Sequence, residues 1–122
     1  KFNKKIYEQK KEINKILLDL IKRKKNIIGF GASGRGTTFL NYCNIDKKIL
    51  NVILDSSPLR AGKFMPGVKI PIKTLEYLKN NSHKVDYILI IAWNYQKSII
   101  KQVKEINKNI KFIIPFPKPK IL

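Results

Sequence analysis

Along the first 25 residues, apolar side chains recur at helical spacing: Phe2, Ile6, Ile13, Ile16, Leu17, Leu20 and Ile21, with Lys, Glu and Asn between them. The pattern predicts one amphipathic helix whose apolar stripe needs a cover, either the sheet that follows or a preceding domain. From residue 26 the pattern changes to short continuous apolar runs separated by amphipathic ones. It predicts strands at 26–30, 50–54, 68–70, 86–92 and 111–114, helices at 35–43, 74–80 and 96–107, and a turn-rich stretch at 56–67. Such alternation builds a parallel sheet with helices on both faces, and strands buried on both faces need not alternate in polarity. The implied strand order runs from the 68–70 strand through 50–54, 26–30 and 86–92 to 111–114. The expectation is an α/β, Rossmann-like parallel sheet of about five strands, with residues 1–25 as an N-terminal linker helix and 26–122 as the domain. Pro115, Pro117 and Pro119 lack the backbone donors a further strand uses, so the sheet is expected to close there.

Between the first strand and the first internal helix lies a glycine-rich bend, Gly31-Ala-Ser-Gly-Arg-Gly-Thr-Thr38. With Gly29, Gly31 and Gly34 it has the spacing of a nucleotide-binding βαβ unit. Asp55 closes the next apolar run 21 residues after Gly34, where such units place an acidic residue. The glycines allow a sharp strand-to-helix turn and let a phosphate approach the backbone amides at the positive end of the helix. The competing reading is a tight turn with nothing bound, since many doubly wound folds keep the turn without the ligand.

Other atypical residues fall just after the carboxyl ends of the predicted strands, where open α/β sheets bind ligands. The candidate substrate-binding set is Gly31, Ala32, Ser33, Gly34, Arg35, Gly36, Thr37, Thr38, Asp55, Ser56, Trp93, Asn94 and Tyr95. The bend offers amides and hydroxyls to a phosphate, Asp55 accepts from ribose or sugar hydroxyls, and Trp93 or Tyr95 stacks on a base or sugar face. Each has a structural alternative: Asp55 as a turn cap, Trp93 as core, Asn94 as a helix cap. Arg60 belongs to the same grouping after the second strand. His83 sits in a polar connector and reads as solvent-exposed. No Ser-His-Asp set, paired-carboxylate site or HxxxH pair is present, so no catalytic residue and no metal ligand is assigned.

The 122 residues carry 26 basic and 8 acidic side chains, a net charge of +18, which raises nucleic acid as a partner. Only Arg23, Arg35 and Arg60 are Arg, against 23 Lys spread along the whole chain. Base and phosphate recognition favours the Arg fork, so specific nucleic-acid binding is not expected. Cys43 is alone, which excludes an internal disulfide and fits a reducing, cytoplasmic setting. The longest apolar run, 87–93, is too short to span a bilayer. The first residue is Lys1, so the chain reads as a piece of a longer protein.

Taken in order, the strings Gly31-Ala-Ser-Gly-Arg-Gly-Thr-Thr-Phe-Leu-Asn41, Asp55-Ser-Ser-Pro-Leu-Arg-Ala-Gly-Lys-Phe-Met-Pro-Gly-Val-Lys-Ile-Pro-Ile72, Asp86-Tyr-Ile-Leu-Ile-Ile-Ala-Trp-Asn-Tyr95 and Phe112-Ile-Ile-Pro-Phe-Pro117 resemble the C-terminal domain of SAM-dependent C-methyltransferases of nucleotide-linked deoxysugars. The resemblance covers residues 26 to 117. It implies a parent with a zinc-binding N-terminal domain, a middle domain holding S-adenosylmethionine, and this domain, which encloses the nucleotide-sugar and is not catalytic alone. In the reaction it implies, a 4-keto group acidifies the neighbouring sugar carbon, a base removes its proton, and the carbanion takes the methyl. The implied partners are a nucleotide-sugar or other phosphorylated small molecule and the preceding methyltransferase domain of the same chain. The family often carries an acidic residue soon after the Trp-Asn-aromatic triplet, where this chain has Gln96, Lys97 and Ser98. The Asp55 and 62–70 arrangement also resembles the N-terminal domains of sugar acyltransferases, which implies a nucleotide-sugar or dinucleotide binding module of another sugar-modifying enzyme.

Overall fold

A computed structural model describes residues 4–57 and 59–122, and of Lys5, Ile6, Gly34 and Arg35 only the helical backbone. Phe2 and Pro58, and the side chains of Ile6 and Arg35, lie outside the described residues. The elements in chain order are α1 (Lys4–Lys22), β1 (Ile27–Phe30), α2 (Gly34–Tyr42), β2 (Leu50–Leu54), β3 (Ile72–Lys73), α3 (Leu75–Asn81), β4 (Tyr87–Ile90), α4 (Gln96–Ile106), β5 (Lys111–Ile114) and β6 (Lys120–Ile121). Short 3₁₀ turns at Ser82–Lys84 and Trp93–Tyr95 precede β4 and α4.

The six strands form one sheet in the order β3-β2-β1-β4-β5-β6, parallel except for β6. This is the Rossmann-like α/β sheet expected from the alternation of apolar runs. Residues of β1, β4 and β5 alternate between its two faces. Ile27, Leu89 and Ile113 join one core with Leu40 of α2 and with Ile13, Leu17 and Leu20 of α1. Ile28, Ile88 and Phe112 join the other with Leu78 of α3 and with Ile99 and Val103 of α4. Burial on both faces is why these strands read as unbroken apolar runs. The stripe of α1 is covered by the sheet, and Gln9 donates a hydrogen bond to the Pro117 carbonyl.

Two expectations are corrected. The strand expected at 68–70 is a turn: Lys69 has φ 57°, and its N–H and that of Val68 donate to the Met65 and Pro66 carbonyls. The edge strand is Ile72–Lys73, paired with Ile53 and Leu54. A Val-Lys-Ile triplet mimics strand alternation, but the tight turn at Lys69 prevents extension. The sheet also does not close at the prolines. The chain turns through 115–119, with a cis bond at Phe116–Pro117, and returns as β6 against β5. The N–H groups missing from the prolines are restored at 120–122, where Leu122 exchanges 2.8 and 3.0 Å hydrogen bonds with Phe112.

Candidate functional site

Because β1 sends the chain to β2 on one side and is flanked by β4 on the other, the carboxyl end of β1 is the switch point of the sheet. A crevice of about 610 Å³ opens there. Its size lies within the roughly 300–1,000 Å³ of small-molecule sites. Ser33 of the bend, Asp55, Ser56, Ser57 and Arg60 after β2, Ala92 to Tyr95 after β4, and Ser98 and Gln102 of α4 line it over a floor of Phe30, Ile91 and Ile99.

Asp55 holds this end together. Its side chain is 7 % exposed; Oδ2 accepts from the Ala32 N–H at 2.7 Å and from Arg60 Nη1 at 3.3 Å, and Oδ1 accepts from the Ser57 N–H at 2.8 Å. A carboxylate in this place supplies the anion that the bend's donors favour, so part of the expected phosphate cradle is filled from within the chain. The Gly31 N–H donates to Leu54 O at 2.7 Å. Ser33 caps α2, with Oγ accepting from the Gly36 N–H at 3.2 Å.

The glycines serve packing. Gly31 has φ 110°, and a Cβ there would lie 2.5 Å from the Cβ of Ala92; a Cβ on Gly36 would lie 2.5 Å from Ile91 Cγ2. Bend and helix are therefore packed closely against Ala92 and Ile91 after β4, with no room for a side chain at Gly31 or Gly36.

Of the candidate residues, Ser33, Asp55, Ser56, Trp93, Asn94 and Tyr95 line the crevice. Gly31, Ala32 and Gly36 are buried behind it. Thr37 faces the 62–70 loop, its hydroxyl donating to Ser33 O at 3.3 Å and lying 4.0 Å from Met65 Sδ. Thr38 is exposed and is not among the lining residues. Trp93 packs its ring against Phe39 and Phe116, at centroid distances of 6.1 and 4.5 Å, so it is a wall anchored in the core. Tyr95, 68 % exposed, is the aromatic ring open to a ligand.

Ser57, Arg60, Ser98 and Gln102 also line the crevice, outside the candidate substrate-binding set. For Ser98 and Gln102 the signal was available: positions 95, 98, 99 and 102 share one helical face, and Gln102 Nε2 donates to Ser98 Oγ at 3.1 Å.

Residues 1–117 match the family model of the C-methyltransferase C-terminal domain. The chain belongs to that family. It is 32% identical to the C-methyltransferase NovU of Streptomyces niveus over 112 residues, which is 91% of this chain and 26% of NovU. This C-terminal domain thus spans about a quarter of the length of the curated relative it matches. In fold it is similar to the UDP-D-quinovosamine 4-dehydrogenase of Vibrio fischeri, with a TM-score of 0.57 and 18% identity over 77% of this chain and 79% of that one. Among the described residues no helix is long and apolar enough to cross a membrane, and no cluster of His, Cys, Asp or Glu is suited to a metal ion.

Proposed function

We propose that this domain contributes the crevice at the carboxyl ends of β1, β2 and β4 to the binding of a nucleotide-linked sugar in a SAM-dependent C-methyltransferase. There it orients the sugar and excludes water from the reacting carbon, and it is not catalytic alone. One observation carries the reading: hydroxyl and amide side chains from three different segments converge on a single crevice at the switch point. Hydroxyls of Ser33 and Ser56 and the amides of Asn94 and Gln102 suit a ligand rich in hydroxyls and acceptors.

S-adenosylmethionine supplies an electrophilic methyl group to such a reaction when bound. The bend of this domain does not fit it, because Gly31 and Gly36 are closed by Ala92 and Ile91 and the Asp55 carboxylate is spent on Ala32, Ser57 and Arg60. In this reading the cofactor is held by the rest of the parent protein, a preceding methyltransferase domain of the same chain, in a cytoplasmic enzyme. Membership of the C-methyltransferase family favours this reading over a binding module of a sugar acyltransferase.

The test is Ser56→Trp in the full-length protein, since Ser56 is exposed and lines the crevice. The expected result is a KM for the nucleotide-sugar raised about tenfold or more, equivalent to roughly 1.4 kcal/mol, at an unchanged melting temperature. Unaltered kinetics would leave the domain a purely structural part of its parent.

A further inference from the structure

The crevice has one acid and one base among its described lining residues, Asp55 and Arg60, and they are paired unequally. Asp55 already receives the Ala32 and Ser57 amides at 2.7 and 2.8 Å, so backbone donors compensate its charge. Arg60 reaches it with a single nitrogen at 3.3 Å, longer than the roughly 2.7–2.9 Å of a strong charge-assisted bond. Its side chain remains 47 % exposed. A guanidinium has five N–H donors, and one is engaged here.

We propose that Arg60 is the diphosphate contact of this crevice and sets the direction in which the ligand lies. The inference rests on the reading of the crevice as a nucleotide-sugar site. The Arg60 fork, beside the Ser56 and Ser57 hydroxyls, presents parallel donors to two oxygens of a phosphoryl group, as a Lys cannot. In a chain with 23 Lys and three Arg, the charge alone is supplied abundantly by Lys, while the crevice position carries Arg. Arg23, by contrast, forms an exposed pair with Asp19 on α1. On the opposite flank of β1, the wall made by Asn94, Ser98 and Gln102 is uncharged. An anion therefore lies toward β2 and the hydroxyl-bearing sugar toward α4. Asp55 stays on Ala32 and Ser57 when Arg60 turns to the ligand, so the bend is not released by binding.

The experiment is calorimetric titration of the full-length protein and its Arg60→Gln and Arg60→Lys variants with UDP, with dTDP and with the corresponding uncharged nucleosides. Arg60→Gln is expected to weaken the nucleoside diphosphates about tenfold to a hundredfold, the value of a charge-assisted hydrogen bond. Nucleoside affinity and melting temperature stay unchanged, and Arg60→Lys recovers part of the loss. Wild-type affinity for the diphosphates in Arg60→Gln, or an equal loss for the nucleosides, would overturn the assignment while leaving the crevice reading intact. A wild-type protein that binds none of the four would overturn both.

Discussion

The carboxylate of Asp55 and the backbone amide of Ala32 are 2.7 Å apart, and this contact ties the end of β2 to the bend that follows β1. Two strand tips that border the crevice are thus held together by the chain itself. Removing the carboxylate leaves the buried Ala32 N–H without its acceptor. Asp55→Ala is expected to cost about 3 kcal/mol, and Asp55→Asn, which keeps one acceptor oxygen, about half of that. Urea unfolding monitored by circular dichroism measures both; a cost below about 0.5 kcal/mol for the alanine variant would show the contact to be incidental.

That Asp55 would stand at the crevice was legible from its place at the end of an apolar run, 21 residues past Gly34. Which way its oxygens point was not, because spacing along the chain does not distinguish a carboxylate facing a ligand from one facing its own backbone. The interior strands were legible because burial on both faces leaves a plain apolar signature. The two-residue edge strands β3 and β6 carry no periodicity to read and exist through their partners' unpaired edges. Trp93 was ambiguous for a related reason: its neighbours Phe39 and Phe116 come from distant segments.

Gly31 combines a left-handed φ of 110° with a neighbour that would lie 2.5 Å from any added Cβ. Gly31→Ala is expected to lose about 3 kcal/mol from backbone strain and overpacking together. Thermal unfolding checks it; a melting temperature equal to that of the wild type would mean that the bend relaxes freely.

Packing of α1 on the sheet predicts opposite responses at adjacent positions. Leu17 is fully buried in the core shared with Ile27 and Leu40, whereas Leu18 is 54 % exposed. Leu17→Ala should destabilise by about 3 kcal/mol and Leu18→Ala by less than about 0.5. Equal, small effects in denaturant titrations would argue that the helix is not part of the folded unit.

Burial pushes the Cys43 thiol up to about 11 from an ordinary value of 9.0, with Lys10 opposing the shift. Above pH 9 the unfolded chain gives up this proton while the folded chain keeps it, so the native thiol's contribution to stability declines as pH rises toward 11. The stability advantage of wild type over Cys43→Ala should be constant below about pH 8 and shrink through that window. Parallel stability curves up to pH 11 would contradict the buried, neutral thiol.

Amide chemical-shift mapping of the isotope-labelled chain during titration with a nucleotide-sugar tests the central claim most directly. Saturable shifts confined to Ser33, Asp55 to Ser57, Arg60 and Trp93 to Gln102, the segments that surround the crevice, are the predicted result. Silent resonances at those positions, or shifts confined to the outer face of α1 and the amino ends of the strands, would contradict it.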